Sequence, residues 1–412
     1  MKLQSNSNLR NQITASSCVL AMLSLLFSKF LLTIAMIALI ANAVLNPNFK
    51  LYWQKFKKDR LAVAFTALFF LIALSYFNST NIGYWGERLR VKLPFLILPF
   101  AFCNLFPLPK KLFHYILFSL WLTIFATCIY STFHFFTHYE ASLNAYNYAK
   151  VIWTPKDHIR FSLAVATCIW IGVYLYREEF FIFRKSEKYI WFIGSLLLVF
   201  YLHILSVRSG LVGFYLSAAY FIFYFAVIKK QWKHAVIAAL ATISICVLAF
   251  IVSPTIQMKL GYMRYDLNEY FTGKNVSGRS DAGRLMSQKI SWDVLQKNVL
   301  VGVGMGDVED EVKQEYAIQH PEIDDNQRFE PHNEFLFIAV GIGIIGLILF
   351  FTPIFSFFFV SNNYRKWLLA CIYIILLSSF FTEATLEMQI GTALFLFVIL
   401  LLHYQFKSLS EL

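Results

Sequence analysis

The chain has 412 residues, of which 58% are hydrophobic and 15% charged, with a formal net charge of +12. Soluble domains carry about 25% charged residues, so this chain lacks the polar surface to cover itself in water. Its apolar residues fall in long runs, which predicts an all-α integral membrane protein.

Taken in order, Lys2 and Arg10 precede an apolar stretch with no small-residue cleavage site, which reads as a retained first helix. Residues 13–45 are too long for one ordinary span and read as a hairpin turning near Ser28 and Lys29. Single spans of about 20 residues or slightly fewer are expected at 61–77, 91–106, 113–133, 161–176, 189–206, 210–228, 235–252, 334–360, 367–380 and 390–403. The reading is about twelve transmembrane helices: about nine in residues 1–252, a large outer loop over 253–332, and about three helices in 333–412.

Loop charge orients this arrangement. Lys50, Lys55, Lys57, Lys58 and Arg60 fall on the side of the N-terminus, as do Lys110 and Lys111, Arg177 to Lys188, Lys229 to Lys233, and Arg365 and Lys366. The positive-inside rule makes that side cytoplasmic, with both termini on it. The positive balance is then a topology signal, and no nucleic-acid partner is expected. Arg88, Arg90 and Lys92 are the exception and are left outside. The six cysteines form no CxxC pair and read as small apolar fillers.

The polar segment 253–332 holds most of the remaining chemistry. A helix is expected from Arg284 to about Lys297, with Leu285, Ile290, Trp292, Val294 and Leu295 on its apolar face. Gly302, Gly304 and Gly306 read as a tight turn, because no strand–helix context supports a dinucleotide motif there. A second helix is expected over 307–316, then a polar loop over 320–328.

Arg208 lies in a short turn between two apolar runs, which places a guanidinium at the outer interface. Topology gains nothing from a cation there. Arg279 and Arg284 flank Asp281; Arg279 reads as a solvated ion-pair residue, whereas Arg284 opens the amphipathic helix and is better placed to face the membrane. His332 precedes a long apolar run, followed by Asn333 and Glu334, either of which suits a helix cap. Guanidinium groups bind a pyrophosphate bidentately without a metal. A histidine can take a proton from an attacking hydroxyl. An outer-face transferase has no cytoplasmic ATP, so it needs a donor already activated in the membrane.

In their order, Arg208-Ser209-Gly210, Gly283-Arg284-Leu285 with Trp292, Gly302-Val303-Gly304-Met305-Gly306 and His332-Asn333-Glu334-Phe335-Leu336 resemble the O-antigen ligase / O-antigen polymerase family of polytopic glycosyltransferases. Gly341, Gly343 and Gly346 extend the likeness. The resemblance implies an undecaprenyl diphosphate-linked glycan as donor, and lipid A core or another glycan as acceptor. It further implies a bacterial inner-membrane location, among membrane lipids, with a periplasmic active face. Transfer would be direct, inverting and metal-independent, with no cofactor. By residue it makes Arg208, Arg284 and His332 catalytic, with Arg208, Arg284, Arg279, Asn333 and Glu334 as substrate contacts. A ligase is favoured because the outer loop is a single block ahead of the late histidine; a polymerase joining lipid-linked repeats is the alternative. A lipid or solute transporter is the reading from another class, with Lys29, His203, Glu334, Glu383 and Glu387 as its ionisable groups.

Overall fold

The computed structural model describes residues 2–146, 152–155, 157–272 and 280–407; Arg279 lies outside them. The described residues form helices and no strand: α1 (Lys2–Ser24), α2 (Lys29–Val44), α3 (Phe49–Lys58), α4 (Arg60–Leu74), α5 (Ile82–Leu105), α6 (Lys110–Thr137), α7 (Tyr139–Tyr146), α8 (His158–Arg177), α9 (Lys188–Leu205), α10 (Arg208–Phe223), α11 (Trp232–Val252), α12 (Pro254–Phe271), α13 (Ser280–Lys297), α14 (Val308–Gln319), α15 (Glu334–Ser356), α16 (Trp367–Ser378) and α17 (Gln389–Lys407).

Among the described residues, 8 helices are long and apolar enough to cross a membrane, or 9 if the bent pair α2–α3 is one span. The chain is a multi-pass membrane protein. The other expected spans fall short for local reasons. Polar residues fill the first turns of α1, Arg88, Arg90 and Lys92 lie inside α5, and α16 has 12 residues. The α1–α2 hairpin turns where expected, and the Ser28 hydroxyl caps α2 by accepting from the Leu31 N–H at 3.2 Å.

One expected loop is a helix. Residues 49–58 form α3, which meets α2 at 106°. Its Phe56 is buried while Lys50, just inside its start, and Lys55, Lys57 and Lys58 are exposed, the pattern of a helix lying along an interface. At the centre of the bundle, α17 and α8 are almost wholly buried; at its rim α11 turns Ile237, Leu240 and Ile243 outward.

The described residues of the 253–332 segment hold three α-helices, α12, α13 and α14, one more than the two expected. α12 was not foreseen, because its apolar residues keep no clear period. α13 starts at Ser280, so Arg284 lies in its second turn and does not open it. Ile290, Val294 and Leu295 are buried as expected, but Trp292 is 54% exposed.

The glycine turn packs on a break in α15. Gly343 has φ 69° and ψ −178°, a conformation open to glycine alone, and it interrupts the helix. The freed backbone groups are satisfied by the turn: Ile344 N–H donates to Val299 O at 2.8 Å, Val303 N–H to Val340 O at 2.9 Å and Gly304 N–H to Gly341 O at 2.9 Å. A β-carbon on Gly302 or Gly343 would collide with the opposing backbone. Protein covers the break, as irregular backbone at membrane depth requires. Asp307 then ties the turn to the α4–α5 connection, accepting from the Thr80 N–H at 2.8 Å, the Thr80 hydroxyl at 3.0 Å and the Asn81 N–H at 2.7 Å.

Candidate functional site

Four elements bring the sequence-derived candidates together. Arg208 is the first residue of α10, after the Ser206–Val207 turn. Arg284 is on α13. His332 lies two residues before α15, and the loop between α16 and α17 supplies Glu383.

Glu383 is the hinge of the arrangement. One carboxylate oxygen accepts from the Arg284 guanidinium at 2.6 Å, and the other meets His332 Nδ1 at 3.3 Å. The carboxylate is 4% exposed, against 28% for the Arg284 and 30% for the His332 side chains. Burial pushes the Glu383 carboxyl up, but the His332 bond and the positive charges of Arg284 and Arg160 outweigh it, so it lies below the usual range. An ionised carboxylate only accepts, so His332 Nδ1 carries the proton of this contact, which in the neutral ring leaves the lone pair on Nε2. Arg160 is itself fixed, donating to Asp157 at 2.7 Å and to Ala384 O at 3.0 Å.

Arg208 holds Asp281 with both terminal nitrogens, the second at 2.6 Å. Asp281 thus pairs across to α10 and not with Arg284. A second acidic residue, Asp266, accepts from the Asp281 N–H at 2.6 Å and the Ala282 N–H at 3.2 Å, which caps the start of α13. Lys259 on α12 shares this field. Burial, then the positive charges of Arg208 and Arg284, bring its amine down to about 8 against the pull of Asp281.

Asn333 and Glu334 face the protein. The Asn333 side-chain oxygen caps α15, accepting from Leu336 N–H at 3.1 Å, and its amide donates to Phe381 O at 3.3 Å. Glu334 is fully buried and accepts from Leu386 N–H at 2.8 Å. Both hold the loop that carries Glu383 rather than lining open space.

A cleft of 530 Å³ lies at His332, walled by Arg88, Arg160, Arg328, Glu330, Glu383, Glu387 and Met388; Arg208 and Arg284 are outside its lining. Among the described residues no group of three His, Cys, Asp or Glu is placed to hold a metal ion. Four of the five transporter candidates are engaged in contacts, among them His203, which meets Val199 O and the Tyr215 hydroxyl, each at 2.7 Å, and Glu387, which meets Lys92 at 2.5 Å; Lys29 is exposed.

Sequence reading missed Glu383 in this role, and Arg160, Lys259 and Asp266 altogether. Each is recruited through tertiary contact from outside the local motifs, so no spacing announces it. Residues 193–351 match the family model described as O-antigen ligase. That stretch contains Arg208, Arg284, the glycine turn, His332 and Gly343, and over it the chain is similar to the O-antigen ligase family. No curated protein matches the chain.

Proposed function

We propose that this chain, similar over residues 193–351 to the O-antigen ligase family, transfers a glycan from undecaprenyl diphosphate to an acceptor hydroxyl, with lipid A core as acceptor, at the periplasmic face of a bacterial inner membrane. The topology proposed is twelve helices, both termini cytoplasmic, with residues 253–332 outside. The observation that carries the proposal is the Arg284–Glu383–His332 set of contacts, because it joins a guanidinium suited to phosphate to an imidazole suited to general-base work.

Arg208 and Arg284 hold the donor diphosphate, with Lys259 adding charge nearby and Arg279 taken as a further contact. Diphosphate binding at Arg208 competes with Asp281, which keeps the guanidinium extended until the donor arrives. His332 Nε2 takes the proton from the acceptor hydroxyl. The acceptor oxygen bonds to the anomeric carbon, the carbon–oxygen bond to phosphate breaks, and its electron pair leaves on the diphosphate. Glu383 stabilises the imidazolium that forms. Asn333 and Glu334 serve as positioning residues that fix the loop. A single displacement inverts the anomeric centre, and the guanidinium groups neutralise the leaving group in place of a metal.

The test is glycan transfer in a strain without its own ligase, comparing wild type with Arg208→Ala at matched membrane levels. Glycan on lipid A core with wild type alone supports the reading. Lengthened polyprenyl-linked glycan without core attachment makes the protein a polymerase instead. Equal transfer by both proteins removes Arg208 from the site.

A further inference from the structure

The outward cations of α5 divide into two sets. Arg88 and Lys92, four residues apart on one helical face, turn into the protein. Arg88 meets Glu330 at 3.2 Å and Lys92 meets Glu387 at 2.5 Å. Arg90 points elsewhere, is exposed, and has no ion pair or hydrogen bond from its side chain among the described residues; the same holds for Lys29 at the start of α2. Both belong to the outer end in the proposed topology, where neither serves orientation.

These two cations line one groove of 700 Å³ between α2, α5 and the start of α17. Its walls are otherwise mainly apolar, with Phe30, Met36, Ile37, Leu93 and Ile97 among them. Phe30 is 72% and Ile37 56% exposed, so the groove opens sideways toward the lipid. It shares Glu387 and Met388 with the cleft at His332, and it shares no residue with Arg208, Arg284 or Lys259.

We propose that this groove is the acceptor site: acyl chains lie between α2 and α5, a headgroup phosphate rests on Lys29 and Arg90, and the acceptor sugar passes Met388 to reach His332. The inference rests on the transferase reading. A donor whose diphosphate sits on Arg208 and Arg284 leaves no anion for Lys29 and Arg90, so these cations fit a second, phosphate-bearing lipid. Asp157 and Glu387 also line the groove but are held by Arg160 and Lys92, so a phosphorylated glycolipid matches the two remaining cations and the apolar walls.

The experiment measures equilibrium binding to the full chain in nanodiscs, independently of transfer. The probes are phosphorylated lipid A core, the same glycolipid after phosphatase treatment, phosphatidylglycerol, and the polyprenyl diphosphate-linked glycan. The proteins are wild type, Lys29→Gln/Arg90→Gln and Ile37→Trp, all altered at exposed positions. Phosphorylated glycolipid should bind the double variant about tenfold more weakly, the loss expected for roughly one charge-assisted phosphate contact. Ile37→Trp should weaken it as well, and phosphatase treatment should remove the advantage of wild type. Donor binding should stay within about twofold, well below one such contact. An equal loss for phosphatidylglycerol reduces the groove to a general lipid contact and overturns the proposal. A loss confined to the donor assigns the groove to the donor, and no change in any probe sinks it. If the glycolipid pattern holds while the protein transfers no glycan, the groove stands and the transferase reading falls.

Discussion

Two charge clusters sit at the same end of this molecule, and they are built in opposite ways. Around α5, Lys92 is fully buried between Glu387 at 2.5 Å and Glu334 at 3.7 Å, and it donates to Leu386 O at 2.8 Å. Arg88 stacks over the Tyr84 ring at 4.2 Å and pairs with Glu330. Around His332, the Arg208, Arg284 and His332 side chains keep 39%, 28% and 30% of their surface. In the first cluster every cation already has its carboxylates; in the second the carboxylates Asp281 and Glu383 are buried and the cations reach outward. Desolvating a charge without a partner costs several kcal/mol, so the closed cluster holds the loop after α16 in place. The open cluster is free to bind. Charge alone does not mark a site; the side of the ion pair left to solvent does.

Substitutions should separate the two clusters, and the largest effect belongs to the open one. His332→Ala should lower transfer about 100- to 10,000-fold, the range for loss of a general base, with unaltered thermal stability in detergent. Lys92→Met should do the reverse. Leaving Glu334 and Glu387 buried without their cation costs roughly 3–5 kcal/mol, read as a fall in folded protein and melting temperature, while the protein that does fold keeps its donor affinity. If Lys92→Met lost donor affinity at full stability, the closed cluster would belong to the site.

Glu383→Gln should reduce kcat by about 10- to 100-fold, since a hydrogen bond to a charged group is worth roughly 1.5–3 kcal/mol. It should also change acid sensitivity. The folded carboxyl lies below its ordinary value, so its stabilising contribution is complete above the ordinary carboxylate range and is lost only as pH falls through the lower folded value. The difference in melting temperature between wild type and Glu383→Gln should therefore hold steady from pH 7 to pH 5 and shrink only below that. An acid step that is the same in both proteins would contradict the role of this carboxylate.

A smaller effect is expected at Lys259, whose amine titrates at about 8 in the fold. Raising the pH from 7 to 9 removes its charge, so donor KM should rise by a few-fold in wild type and stay flat in Lys259→Arg. Trp292→Ala should be smallest of all, within about 0.5 kcal/mol in stability, because the indole is exposed.

The α5 cluster also shows where sequence reading stopped. Hydropathy started this span at residue 91 and left Arg88 and Arg90 ahead of it, whereas the helix starts at Ile82, where the Asn81 side chain caps it. Periodicity could not show that Lys92 has two carboxylates beside it, because Glu334 and Glu387 come from more than 200 residues away. The local settings of Arg208 and His332 were legible because a short turn and a helix start fix them, whereas Arg284 lies in the second turn of α13 and not at its start. Their organiser, Glu383, was not, since it lies 51 residues beyond His332 and was read only as an ionisable group at a span end. The glycine turn was legible as a turn from its composition. Its task of covering the break at Gly343 appears only when α15 is packed against it.

The central claim is that His332, held by Glu383, is the base for glycan transfer. Its most direct test is single-turnover transfer in proteoliposomes loaded with undecaprenyl diphosphate-linked glycan and excess lipid A core, comparing wild type with His332→Ala. Donor binding is measured on the same preparations. Donor binding should be equal, and the transfer rate should be at least about 100-fold lower in the variant. Equal rates at equal binding would contradict it.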